Sequence, residues 1–243
     1  MDMLTDRAPF DYRYLSGRLL RELAQQDDAT RSRWRASGEL TAVFGHVNIS
    51  RPERDNTNLY MLAQRSEKLV SDHTTRDLTQ AYSGQYLRTQ LPLRFGIFEP
   101  HMGWAGGKVA YYLAEVQDDA KRFVVALFGS AANVVGNRDT GGSGYYPSDM
   151  RGLYTLLYLV RDPSGPGMDP PDYLWDDGRP YDEVRASAAV TLARRSAKGT
   201  PEQLDFLARL FVSVEDLDLG NGTAGKVLVG APLWVATPKP QPV

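Results

Sequence analysis

The stretch Gly129-Ser130-Ala131-Ala132-Asn133 breaks an apolar run ending at Leu127-Phe128, and the chain leaves it at Gly136. Glycine turns after strands are where backbone amides gather around anions. A hydroxyl at Ser130 and an amide at Asn133 would add side-chain contacts. A phosphate loop needs G-x-x-x-x-G-K-[ST], because lysine neutralises phosphate and the hydroxyl holds magnesium. Here Gly136 is followed by Asn137 and Arg138, so both are missing. The dinucleotide fingerprint G-x-G-x-x-G is absent, and Gly129-Ser130-Ala131-Ala132 lacks the second glycine of a G-x-S-x-G nucleophile turn. Two readings stay open. The glycines relieve strain in a tight connection, or Gly129, Ser130, Asn133 and Gly136 build a binding turn. Arg88 and Arg94, on the polar face of a strand, are candidate anion contacts; solvated charge is the alternative for both.

Metal chemistry finds little support. His46, His73 and His101 are scattered, and no H-E-x-x-H occurs. Asp169, Asp172, Asp176, Asp177, Asp182 and Glu183 crowd a proline-rich segment, but their spacing is not that of a calcium loop. No metal and no cofactor is expected. The chain has no cysteine, which removes disulfides, zinc thiolates and a thiol nucleophile.

The elements that must carry these residues follow from periodicity. "DYRYL" reads as a strand, and Leu19, Leu20 and Leu23 begin a helix after Gly17. "ELTAVFGHVNI" has strand composition. Leu59, Leu62, Ser66, Leu69 and Val70 keep helical spacing. Over residues 86–98, Leu87, Thr89, Leu91, Leu93, Phe95 and Ile97 alternate with Arg88, Gln90 and Arg94, the pattern of a half-buried strand. Pro92 lacks an amide donor and implies an edge or bulge there. "KVAYYLAEV" and "RFVVALF" follow with a short turn, predicting an antiparallel meander whose last strand is central. A helix is expected from Ser148 over Met150, Leu153, Leu156, Leu157 and Val160. Residues 161–180 hold five prolines and read as an irregular loop. "YDEVRASAAVTLARRSAKG" is a helix with acids first and bases last, matching the helix dipole. "TPEQLDFLARLFV" also reads as a helix: Thr200 and Gln203 form a capping box, Pro201 takes the first position, and Leu204, Leu207, Ala208 and Phe211 form a stripe. "GKVLVGAPLWVA" is a final strand, and residues 238–243 a disordered tail.

Length and charge bound the function. The chain's 243 residues suit one domain, taken as 1–237. With 28 basic and 30 acidic residues the formal charge is -2, which exerts no general pull on nucleic acid or an anionic membrane. No run approaches the length of a membrane span, and the first residues are not those of a signal peptide. A cytoplasmic protein is expected.

Several segments together are similar to an uncharacterised bacterial family of small proteins, some encoded near caspase-like and repeat-containing proteins of predicted defence systems. The family opens with a tyrosine-rich strand ending in Ser, as "YRYLS" does here. Its Y-I-R-G-x-L-x-M-R-W-G segment resembles "YLRTQLPLRFG" (Tyr86 to Gly96), and its G-G-S-x-x-H-x-x-G turn resembles "FGSAANVVG". "DFLA" (Asp205 to Ala208) and "GAPLWVA" (Gly230 to Ala236) match its late motifs. Phe128, Asn133 and Ala231 stand where the family has glycine, histidine and threonine. The resemblance implies no established activity, and the missing histidine argues mildly against an enzyme.

These readings converge on a single α+β domain, a curved antiparallel sheet packed against several helices with a concavity on its open face. The expected function is a non-enzymatic binding or sensor-adaptor protein, in a defence or regulatory system. Its partner would be a protein or a small anionic ligand. The alternative is a small hydrolase or transferase on an anionic molecule, using Ser130, Asn133, Arg88 and Arg94.

Overall fold

Residues 202–218 form a 17-residue strand, where the capping box and apolar stripe predict a helix. The same residues also alternate. Leu204, Phe206, Ala208 and Leu210 share one buried cluster, while Val212 and Val214 lie in another. Both periods are present, and pairing with two neighbouring strands selects the extended one.

The computed structural model describes residues 10–36, 56–98, 108–118, 121–137, 180–218 and 224–238. In chain order these form β1 (Phe10–Leu15), α1 (Gly17–Ala36), α2 (Asn56–Leu69), β2 (Thr74–Thr75), β3 (Tyr86–Phe98), β4 (Val109–Asp118), β5 (Lys121–Ser130), α3 (Tyr181–Ser196), β6 (Glu202–Asp218) and β7 (Ala224–Pro238). The strand expected over 39–49, the helix expected from Ser148, residues 161–179 of the expected loop and residues 239–243 of the expected tail lie outside the described residues.

The meander of β3, β4 and β5 is antiparallel, as expected. β5 then pairs in parallel with β7, β7 antiparallel with β6, and β6 antiparallel with β3. The circuit closes into a five-stranded barrel, with β1 added to β7 and β2 to β3. This corrects the α+β reading of a curved, open antiparallel sheet. A helix over 202–213 would have left β3 and β7 as edges; the strand joins them and removes the open face. β6 bends around the barrel through register shifts against β7, the last between Val214 and Leu217, where Asp216 takes a φ of 51°.

Three buried clusters follow from closure. The barrel interior holds Leu87, Leu91, Leu93, Tyr112, Leu127 and Phe206, among others. Outside, Val184, Ala188 and Leu192 of α3 cover Leu113 of β4, Val124 of β5 and Val212 of β6. On the other side, Leu20 of α1 and Ala63 of α2 cover Tyr12, Leu15 and Trp234. Pro92 sits where β3 changes partner: β6 pairs through Leu93 and β4 begins at Arg94. Leu93 is 1% exposed and Arg94 faces solvent. Leu93→Ala is therefore expected to cost about 2–5 kcal/mol in chemical unfolding. Arg94→Ala should stay within about 0.5 kcal/mol. Equal losses would show that the inner and outer faces of β3 are misassigned.

Candidate functional site

The two ends of the barrel differ. At one end Lys226 of β7 is buried, and its Nζ donates to the Thr79 carbonyl at 2.8 Å and meets Glu215 Oε1 at 2.7 Å. Burial alone would raise the Glu215 carboxyl, but Lys121 and Lys226 hold it below its ordinary value. The segment before β3 packs over this end through Leu78 and Ala81. Among the described residues, the buried Lys226 at this end is partnered.

The other end is open, and a cavity of about 370 Å³ enters there. Its floor is Leu93, Phe95, Tyr112 and Leu204; Val134 and Val135 form one wall. Phe95 and Tyr112 have ring centroids 5.0 Å apart. Tyr14 meets Tyr112 edge-on at 6.1 Å. Gly199 and Thr200 of the linker into β6, with Arg13 and Glu202, both exposed, complete the lining at the rim.

Strand registers place these residues. Glu202 pairs with Leu93, and Leu204 with Leu91. Cross-strand partners share a face, so Glu202 continues the inward row of β6 up to the mouth. Along β7, β5 pairs with Lys226 to Gly230 and β1 takes over at Trp234 to Pro238. β1 thus extends the wall at the mouth. Its register shifts between Tyr12 and Tyr14, leaving Arg13 between two paired residues. Bulges of this kind re-aim a side chain. Arg13 Nε donates to Thr237 Oγ1 at 3.1 Å. Among the described residues, Arg13 forms no ion pair with a carboxylate and Glu202 none with a basic side chain.

The glycine turn that the sequence singles out forms the wall between β5 and β1. Ser130 caps a short 3-10 turn at Ala131–Asn133, its Oγ accepting from the Ala132 amide at 3.3 Å. Asn133 Nδ2 donates to the Tyr14 hydroxyl at 3.2 Å, across 119 positions of sequence. The Val135 amide donates to the Arg13 carbonyl at 2.9 Å, and Val134 bridges Tyr14. Gly136 has a φ of +80°. Gly129 lies against the Tyr14 hydroxyl. Four of the nominated residues therefore gather beside the cavity, supporting its wall rather than lining it.

Arg88 and Arg94 do not join them. Arg88 lies on the outer wall, with Nη1 at 2.6 Å from Asp205 Oδ1 and Nε at 3.2 Å from Glu67 Oε1. Its guanidinium stacks 4.7 Å from the Trp234 ring centroid. Arg94 is exposed beside Leu93, on the opposite face of β3. Sequence reasoning missed Arg13, Tyr14, Tyr112 and Glu202. The tyrosine-rich start of the chain was the only signal for two of them, since their meeting depends on closure of the barrel. Among the described residues no group of acids and histidines could hold a metal ion. No helix there is long and apolar enough to cross a membrane.

Burial pushes the Tyr14 phenol up to about 12, against hydrogen bonds with Asn133 and Ser16 that pull it down. Burial and the neighbouring Tyr14 push Tyr112 upward as well, against Arg13. The unfolded chain ionises its phenols near 10 while the folded chain keeps them neutral. Stability is then whole below pH 10 and falls as pH rises through the folded values. The two-unit rise at Tyr14 corresponds to about 2 kcal/mol lost by pH 12. Urea unfolding between pH 8 and 12 should show that fall, and Tyr14→Phe should flatten it by a comparable amount. An unchanged slope in Tyr14→Phe would remove Tyr14 as its source.

Comparison with curated proteins and with solved structures gives no significant match. A family model matches residues 11–238, from the strand that carries Arg13 to the end of β7. The chain belongs to the family of unknown function DUF7019.

Proposed function

We propose that the protein is a non-enzymatic binding protein that takes a small molecule with an apolar body into the open end of its barrel. The observation that carries this reading is the cavity of about 370 Å³ with aromatic and aliphatic walls and, among the described residues, two charged side chains, both at its rim. Ligand sites of this kind are concave, mostly apolar and oriented by a few polar groups. The volume lies at the small end of their range, about 300–1,000 Å³, which favours a compact ligand over a peptide. The site joins β1, the turn after β5 and the linker into β6. A ligand bound across these three segments would tie them together, as a sensor requires.

The neutral fluorophore N-phenyl-1-naphthylamine tests the reading. Its emission should rise and saturate with one site per chain. Val135→Trp, a change at a half-exposed wall position, should abolish the response while leaving the melting temperature close to that of the wild type. Absent saturation, or an equal response in a folded Val135→Trp variant, would overturn the proposal.

A further inference from the structure

We infer that the ligand of the barrel mouth is a zwitterion with an aromatic or bulky apolar side chain, its carboxylate held by Arg13 and its ammonium by Glu202. The inference rests on the binding reading above and specifies its ligand. The first observation is the pair of opposite charges on one rim. Arg13 and Glu202 line the same cavity, yet the described residues show no ion pair between them within 4 Å. Several charges elsewhere on the barrel are matched: Arg88 with Glu67 and Asp205, Arg194 with Glu115, Lys226 with Glu215. A separated pair facing one cavity is complementary to a molecule that carries both charges.

The second observation is how each charge is aimed. Glu202 is brought inward by its register with Leu93. Arg13 stands at the irregularity of β1, and its Nε is anchored on Thr237. The anchored Nε leaves the two terminal nitrogens of the guanidinium, the fork that meets a carboxylate with two parallel hydrogen bonds. The third observation is what lies beneath. Phe95 and Tyr112 present two tilted rings to the same cavity, beside Leu93 and Leu204. Rings there suit the edge or face of an aromatic side chain. An α-amino acid joins both charges to one side chain within a few atoms, and its size suits the cavity.

Isothermal titration of the full chain with L-phenylalanine, L-tryptophan, L-leucine, 3-phenylpropionate and phenethylamine tests the inference. The last two keep the apolar body and carry one charge each. Wild-type protein should bind at least one of the amino acids, with phenylalanine about tenfold or more tighter than either single-charge analogue, the effect of one charge-assisted contact. Arg13→Gln should abolish the preference for phenylalanine over phenethylamine. Glu202→Gln should abolish the preference over phenylpropionate. Both positions are exposed, and unchanged melting temperatures would confirm that the variants fold. If no amino acid binds, or phenylpropionate binds as tightly as phenylalanine, or both variants keep the wild-type order, the zwitterion assignment is overturned. Saturable naphthylamine binding alongside any of these results would leave the apolar site standing; its loss as well would remove both.

Discussion

Gly96→Ala is expected to destabilise the protein by about 3 kcal/mol or more, the upper range for forcing atoms into a packed contact. Gly96 lies in β3 where the C-terminal end of α3 crosses the barrel. A Cβ there would fall on the Ser196 carbonyl and within 2.9 Å of the Ala197 Cα. Both are backbone atoms, so no side-chain rotation gives way. The Ser196 carbonyl also accepts the Lys198 amide at 3.1 Å. Lifting it would cost that bond and part of the packing of α3 over Leu113 and Val124. Urea unfolding measures the loss. Ser196→Gly in the same chain should restore little, because the collision is with the main chain. Wild-type stability in Gly96→Ala would mean that α3 does not seat on β3.

Gly129→Ala should cost about 2–3 kcal/mol for a different reason, and Tyr14→Phe should recover part of it. The Cβ would meet the Tyr14 hydroxyl, with the ring carbon that bears it at 2.9 Å. Tyr14 is 1% exposed and has no free space to retreat into. By itself, Tyr14→Phe removes the acceptor for Asn133 and should cost about 1 kcal/mol. In the double variant the hydroxyl that collides is gone and only the ring contact remains. The two changes should therefore fall short of additivity by at least about 1 kcal/mol. Additive losses in the four-member cycle would mean that Gly129 is needed for something other than room for Tyr14. The contrast with Gly96 is informative: one glycine yields to a side chain, the other to the main chain.

The turn at 129–136 shows how far local reasoning about a site can go. Its glycines and Ser130 mark a special connection, and its departure from the phosphate-loop and nucleophile patterns is plain from the residue types alone. Its purpose is not. Asn133 acts on Tyr14 and Val135 on Arg13, both more than a hundred residues earlier in the chain. Arg88 illustrates the reverse. Alternation correctly puts it on the polar face of β3, but its neighbours there are carboxylates of α2 and β6. Nothing within its own strand announces them.

Elements with a one-sided or charge-ordered pattern are legible from residue order alone. β3 alternates as far as Leu93, though Ile97, expected on the inward row, is exposed; β5 is apolar on both faces, and α3 runs from acids to bases. Residues 202–213 satisfy two periods at once. Leu204, Leu207, Ala208 and Phe211 make a helical stripe, while Leu204, Phe206, Ala208 and Leu210 make a strand face. Local propensity and capping favour the first. Only the assembled barrel settles the matter, because a strand there gains hydrogen-bonded partners on both sides, β3 more than a hundred residues earlier and β7 just after. Such pairing is worth nothing until the distant strand is in place, so no local pattern records it. The mouth depends on the same event. Arg13, Phe95, Tyr112, Val135 and Glu202 come from five segments and share a cavity only because β6 closes the sheet into a barrel.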